Sequence, residues 1–321
     1  MQLLGIGDLH LSSVNGAGGL SRFLQNSDAV ILNEVERVLE REDIDTVLLY
    51  GDICDSSRMS YNAHELLYAL FKRHSDRFFH IILGNHDKFA KDSDVGHSCQ
   101  LLMKMGLNNI RVYENQEVVK IGNSRVNMMP YPCADFKKGM LNVCHLTLSG
   151  AVDDHGRVCK DGVEYKKGCP IVSGHIHSGG EGNGFSYSGT LYQLNFGESL
   201  ERKGYHVINI DGADVDVLRK RWIPEYQLHT VEVTNNTDFS ELANHKYFYR
   251  LVSDEVIDPA LYHGLNVVTV KSKEAVKVEN NFELRVEDAS VNTDSLFNSI
   301  LRKYNKEERI ALKRVRAEIL R

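Results

Sequence analysis

Phe79-His80-Ile81-Ile82-Leu83-Gly84-Asn85-His86-Asp87 decides how the rest of the chain is read. The apolar run predicts a buried strand, and Gly84 ends it. Three polar side chains then share one tight turn: a neutral oxygen at Asn85, an imidazole at His86 and a carboxylate at Asp87. Taken alone, Gly-Asn-His-Asp would be an ordinary turn with a chance histidine. The same pattern, an apolar strand followed by side chains able to ligate a metal, recurs four more times.

Upstream, residues 2–6 predict a first strand that ends in Gly7-Asp8-Leu9-His10. Ile31, Val35, Val38 and Leu39 make an amphipathic stripe and predict a helix over 27–42. A second strand over 45–50 is closed by Gly51-Asp52-Ile53-Cys54-Asp55, and 61–73 predicts a helix burying Ala63, Leu66, Leu67 and Leu70. With the strand ending at Leu83 this is a β-α-β-α-β run, an α/β pattern whose parallel strands collect ligands at their carboxyl ends.

Downstream, 95–105 reads as a helix, followed by short strands over 110–113, 117–121 and 125–129. A strand over 141–146 carries His145, and 150–168 reads as a polar, glycine-rich surface loop. The strand at 170–173 delivers Gly174-His175-Ile176-His177, and strands near 185–188, 205–210 and 214–218 complete a first domain over 1–222. Residues 223–290 read as a smaller α+β domain, with strands over 230–233, 247–252, 266–270 and 282–286 and a weak helix over 239–243. Two helices, 293–303 and 306–320, make up most of a final segment, 291–321, whose last twenty residues hold eight basic side chains against three acidic ones.

The 321 residues are 42% hydrophobic and 26% charged, an ordinary globular composition able to bury a core. No run approaches the roughly 20 apolar residues of a membrane span. The first residues enter a strand directly, so the expectation is a cytoplasmic protein without a signal peptide. A formal charge of −6 argues against a surface coated with phosphate-binding lysines. The six cysteines contain no Cys-x-x-Cys pair and read as reduced thiols.

Gathered from the strand ends, Asp8, His10, Asp52, Asn85, His86, His145, His175 and His177 form a mixed oxygen and nitrogen donor set. Such a set suits Mn²⁺, Fe²⁺ or Zn²⁺ better than Mg²⁺. There are more donors than one ion needs, which favours two ions about 3.5–4 Å apart bridged by a carboxylate. Strand alternation is expected to aim Asp8 and His10, and likewise His175 and His177, in the same direction. The other nine histidines read as core or surface residues.

Asp8-x-His10, Gly51-Asp52-x-x-Asp55, Gly84-Asn85-His86-Asp87, His145 and Gly174-His175-x-His177 resemble the five-part signature of calcineurin-like metallophosphoesterases. The resemblance covers roughly residues 1–220. It implies a β-sandwich flanked by helices, with a smaller C-terminal α+β capping domain and terminal helices. It also implies that Asp8, His10, Asp52 and His177 hold one metal and that Asp52, Asn85, His145 and His175 hold the other. His86 would be no ligand but would act at the scissile phosphate. Asp55 is expected either to cap the following helix or to hydrogen-bond His86 and assist catalysis.

Within that superfamily, Ser56-Ser57-Arg58, Tyr187-Ser188-Gly189-Thr190, Phe196-Gly197-Glu198 and Lys203-Gly204-Tyr205 resemble the SbcD-like nuclease subunits of recombination and repair. That branch implies a Mn²⁺-dependent exo- or endonuclease, with Mg²⁺ or Fe²⁺ as other candidate ions. Arg58 and Tyr187 would bind substrate, and the partners would be DNA, a second copy of the chain and an SbcC-like ATPase docked on the terminal helices. Ile53-Cys54 replaces the branch's usual Leu-Phe, and some members carry His where Asp55 stands. A stand-alone phosphoesterase acting on nucleotides or small phosphate esters would use the same metal core.

Overall fold

The computed structural model describes residues 1–12, 27–89, 96–198 and 200–271. Its frame is two six-stranded sheets packed face to face. The first runs β12(Asp214–Arg221), β11(Gly204–Asp211), β1(Gln2–Ile6), β2(Thr46–Leu49), β3(Phe78–Ile82), β4(Ile110–Tyr113). The second runs β5(Glu117–Ile121), β6(Ser124–Met129), β7(Leu141–His145), β8(Ile171–Gly174), β10(Phe185–Tyr187), β9(Gly180–Gly182). β1 to β4 are parallel, with Leu4 opposite Val47 and Val47 opposite Phe79, whereas β11 pairs antiparallel to β1 with Ile208 opposite Leu3. The central strands are apolar on both faces because both faces are covered.

Alternation divides the core into layers. Leu3, Leu48 and Ile82 point between the sheets to meet Val126, Met128, Val143 and Val172. Leu4, Ile6, Val47, Leu49, Phe79 and Ile81 point the other way, onto α1(Ser27–Arg41), α2(Tyr61–Arg73) and α3(Gln100–Lys104). Those helices answer with Ile31, Val35, Val38, Leu39, Ala63, Leu67, Leu70, Phe71 and Leu102. Each such valine, leucine, isoleucine or phenylalanine, fully buried, contributes about 1.5–3 kcal/mol. The outer face of the second sheet is covered by the segments after β7 and β8, through Leu146, Leu148 and Ala151 and through Ile176.

Ser60 starts α2, its hydroxyl accepting from the Ala63 amide, and Lys72 and Arg73 in the last turn suit the helix dipole. α3 is shorter than the periodicity of 95–105 predicts. Gly96 adopts φ +65° and Lys88 bridges His97, so the backbone enters this region as a turn and a bridge before it coils. β9 has no apolar run to announce it, being Gly-Glu-Gly.

Beyond the sandwich, β13(Gln227–Glu232), β14(Tyr247–Val252) and β15(Val267–Lys271) form a small sheet with β14 in the centre and β13 parallel to it. The weak helix expected over 239–243 is a 3₁₀ turn, Phe239–Leu242, capped by Asp238. Tyr249 and Leu251 pack with Val233, Phe239 and Ile257 into a local core. Leu228 and Phe248, on the opposite face, join the core between the first sheet and its helices. Buried Glu34 of α1 fastens the connection, accepting from Trp222 Nε1 at 2.8 Å and from the Glu225 amide at 2.6 Å. The strand expected over 282–286 and the terminal helices lie outside the described residues.

Candidate metal centre

All seven expected ligands converge at the carboxyl ends of β1, β2, β3, β7 and β8. Glycines make the convergence sterically feasible. A Cβ on Gly84 would lie 2.1 Å from Asp52 Oδ1, and one on Gly174 would lie 2.7 Å from the Tyr50 carbonyl and 3.0 Å from Asp8 Oδ2. Alternation along a strand is not what aims the paired residues. Asp8 and His10 lie beyond β1, and His175 and His177 lie beyond β8. Asp8, His10, Asp52 and His175 all have left-handed backbone, with φ 55°, 45°, 47° and 87°. Four non-glycine residues in that sparsely populated region are a local cost concentrated where the side chains must meet.

The donors fall into two groups that meet at Asp52. In one, His10 Nε2 lies 3.1 Å from His177 Nε2 and 3.7 Å from Asp52 Oδ2, and Asp8 belongs to the same cluster. In the other, His145 Nε2 lies 3.1 Å from Asp52 Oδ2 and 3.0 Å from Asn85 Oδ1, while His175 Nδ1 lies 3.0 Å from the same Asn85 oxygen. Backbone amides hold the far carboxylate oxygens: His86 N–H donates to Asp52 Oδ1 at 2.9 Å and His175 N–H to Asp8 Oδ1 at 2.8 Å.

Support behind the imidazoles fixes which nitrogen faces inward. His145 Nδ1–H donates to the Tyr50 carbonyl at 2.7 Å. His10 Nδ1 faces Asp55 Oδ1 at 3.1 Å, and His177 Nδ1 faces Glu198 Oε1 at 3.5 Å and Asp154 Oδ2 at 3.7 Å. In each ring Nε2 is left toward the centre, the arrangement by which carboxylates and carbonyls orient metal-binding histidines. Burial disfavours charge on His177, yet Glu198 and Asp154 raise it to about 10; burial likewise opposes charge on His145, yet Asp52 and Asp8 raise it to about 9. Burial and the neighbouring His145 lower His175 to about 3, which keeps it neutral.

These residues fit a divalent cation. Asp8 Oδ2 is buried and has no hydrogen-bond partner, a costly state for a carboxylate oxygen unless positive charge lies against it. Two imidazole nitrogens facing one another at 3.1 Å beside that oxygen call for the same charge. The donors are mixed oxygen and nitrogen on both sides, a set compatible with Mn²⁺, Fe²⁺ or Zn²⁺.

The remaining expected site residues divide. His86 is exposed, lies 5.0 Å from His10 between ring centroids, and donates from Nδ1 to the Asp55 carbonyl at 2.9 Å. Asp55 therefore does hold His86, but through its main chain; its carboxylate goes to His10 instead. It does not cap α2, a role taken by Ser60. Arg58 is exposed on the loop before α2. Tyr187 is not placed to touch substrate. It is 2% exposed, its hydroxyl donating to the Leu146 carbonyl and accepting from the Leu148 amide, each at 2.8 Å. Asp87 is turned inward, accepting from the Ile53, Cys54 and Gly84 amides and from Ser98 Oγ, and so ties the second and third motifs together.

Sequence reasoning missed three supporting residues. Asp154 sits in the loop read as surface, yet accepts from the His177 and Ser178 amides. Glu198 and Lys203, taken for a substrate-side stretch, are a buried ion pair beneath His177, and Lys203 Nζ donates to the His177 carbonyl at 3.2 Å. Glu198 and Lys203 stand five residues apart with Glu201 and Arg202 between them, so the sequence alone does not single out this pair.

Residues 1–179 match the family model described as calcineurin-like phosphoesterase. The chain belongs to the calcineurin-like phosphoesterases. Membership makes it a phosphoester hydrolase of a family that typically uses two divalent metals. The calcineurin-like chain is also similar to Exonuclease subunit 1 of Enterobacteria phage T4, 24% identical over 245 residues that cover 70% of this chain and 68% of the phage protein. Among solved structures it is similar to a purple acid phosphatase from yellow lupin (Lupinus luteus) seeds, at 13% identity and a TM-score of 0.39 over 68% of this chain and 51% of that one. A protein of unknown function from Aquifex aeolicus matches at 16% identity and a TM-score of 0.31, over 57% of this chain and 82% of that one. Among the described residues, no helix is long and apolar enough to cross a membrane.

Proposed function

We propose that the chain is a Mn²⁺-dependent DNA phosphodiesterase, the exo- and endonuclease subunit of an SbcCD-like nuclease–ATPase complex. The observation that carries this reading is the pair of donor groups meeting at Asp52 with the exposed His86 ring beside them. Asp8, His10, Asp52 and His177 would hold one ion, and Asp52, Asn85, His145 and His175 the other. When bound, the ions supply positive charge that draws in and neutralises the phosphodiester.

The protein's own part is positioning and proton transfer. The Asp55 carbonyl accepts from His86 Nδ1 and fixes the ring, leaving Nε2 for proton transfer to the leaving oxygen. Asp55 acts on the centre through His10 as well, where its carboxylate orients the ring. Arg58 offers an exposed guanidinium for the phosphate backbone of DNA. Likeness to a phage exonuclease subunit supports DNA as substrate and a multi-subunit assembly. The ATPase and a second copy of the chain enter from the sequence resemblance, the former through residues 291–321.

Incubation with linear duplex DNA, circular single-stranded DNA and a chromogenic phosphodiester, each with Mn²⁺ or Mg²⁺, tests the reading. Shortening of the duplex and nicking of the circle, both dependent on Mn²⁺, are expected. Turnover of the small ester with both DNAs left intact would favour the stand-alone phosphoesterase.

A further inference from the structure

His177 is the ligand whose support reaches furthest from the sandwich. Its Nδ1 faces Glu198, and Glu198 is fixed by four groups: Lys203, the Leu194 amide at 3.1 Å, Asn195 Nδ2 at 3.3 Å and His177 itself. The Glu198 carbonyl in turn accepts from Gln193 Nε2 at 2.8 Å. Gln193 is 2% exposed, and it also grips β13 of the small sheet, accepting from the Leu228 amide at 2.8 Å and donating to the Leu228 carbonyl at 3.1 Å. One amide side chain therefore pairs through Oε1 and Nε2 with a strand residue of the small sheet and, through the same Nε2, with the turn that carries the carboxylate behind a ligand.

We propose that Gln193 and Glu198 are positioning residues that make the affinity of the Asp8–His10–His177 metal position depend on the docking of the small sheet, while the Asn85–His145–His175 position does not. The proposal rests on the two-metal reading above. Its physical basis is that a buried amide is held to few geometries by three hydrogen bonds, so displacing Leu228 must displace the 193–198 turn or leave buried polar groups unpaired. Displacing the turn moves Glu198 off His177 and loosens the ring. No such route leads to His145, whose Nδ1 is held by the Tyr50 carbonyl at the end of β2.

A control is available in Glu34, which fastens the same small domain at Trp222 and Glu225 but has no contact with the 193–198 turn among the hydrogen bonds that hold it. It separates loosening of the domain in general from loss of this particular connection.

The test is titration of the metal-free full chain with Mn²⁺, followed by calorimetry and by the electron paramagnetic resonance signal that distinguishes a single ion from a coupled pair. Wild-type protein is expected to bind two ions and give the coupled signal. Glu198→Gln should weaken one of the two ions by roughly 10–100-fold, so that an uncoupled single-ion signal persists over a wide range of Mn²⁺. Gln193→Leu should do the same to a lesser degree, and Gln193→Asn replaces it with the same expectation if the leucine variant does not fold. Glu34→Gln should lower the melting temperature of the metal-free protein while leaving both affinities as in the wild type. The proposal is overturned if the Glu198 and Gln193 variants bind both ions as the wild type does, if they weaken both ions equally, or if Glu34→Gln weakens the same ion as strongly as Gln193→Leu. Failure of wild-type protein to bind two ions would overturn the two-metal reading itself, a distinct result.

Discussion

On one side of Asp52, His145 and Asn85 leave the ends of central strands, and the bond that orients His145 comes from the Tyr50 backbone just past β2, in the facing sheet. On the other side, His10 and His177 follow left-handed or irregular turns and are oriented by the carboxylates of Asp55, Asp154 and Glu198, all on loops. The first arrangement is built into the sandwich. The second depends on loop segments outside the strands. The two proposed metal positions should therefore differ in how easily they are perturbed, although their donors are similar.

Asp52 is the point at which this contrast should vanish. Asp52→Ala removes the oxygen that both groups approach and is expected to abolish paired metal binding and reduce cleavage by on the order of 10³-fold or more. Metal analysis of the purified variant beside a turnover assay checks this; retention of two ions would mean that the groups do not share Asp52. Next in size, His86→Gln should cost about 10²–10⁴-fold in rate with metal content unchanged. A lost ion in this variant would place His86 among the ligands. Asp55→Asn sharpens the comparison further, since it touches only the loop-supported side. It should weaken one ion by about 10–100-fold and leave the other unaltered, because the carbonyl that holds His86 is retained. Equal weakening of both ions would erase the distinction between the two sides.

The smallest effect concerns the sandwich side. His206 is fully buried between Tyr50 Oη at 3.1 Å and Ser186 Oγ at 2.9 Å, and burial, with Arg219 nearby, lowers it to about 3. Its folded value lies below the ordinary histidine value near 6.5, so between these two values the unfolded chain binds the extra proton. Stability from this group is complete above about 6.5 and falls as pH drops below it, approaching about 1.4 kcal/mol per pH unit. Melting temperatures in chelator at pH 7.5 and pH 5.5 should show a fall on acidification that is smaller in His206→Gln. An equal fall in both proteins would remove His206 as its source.

The same contrast explains what could be read from the sequence. β1, α2, β4, β5 and β14 stand where periodicity placed them, and all seven expected ligands meet, because each follows an apolar strand end or lies on one. Their convergence through left-handed turns was not legible, since nothing in Asp8-Leu9-His10 distinguishes such a turn from a continuing strand. Tyr187 was misread as substrate-binding because its partners, Leu146 and Leu148, lie about forty residues away. Gln193 carries no local signal at all. Its proposed significance comes from facing Leu228, 35 residues later, on the first strand of the small sheet.

The most direct measurement is the location of bound Mn²⁺ by anomalous X-ray scattering from crystals of the wild-type protein. The account predicts two peaks, one among Asp8, His10 and His177 and one among Asn85, His145 and His175, with Asp52 between them and His86 touching neither. A single peak, or a peak bound to His86, would contradict it.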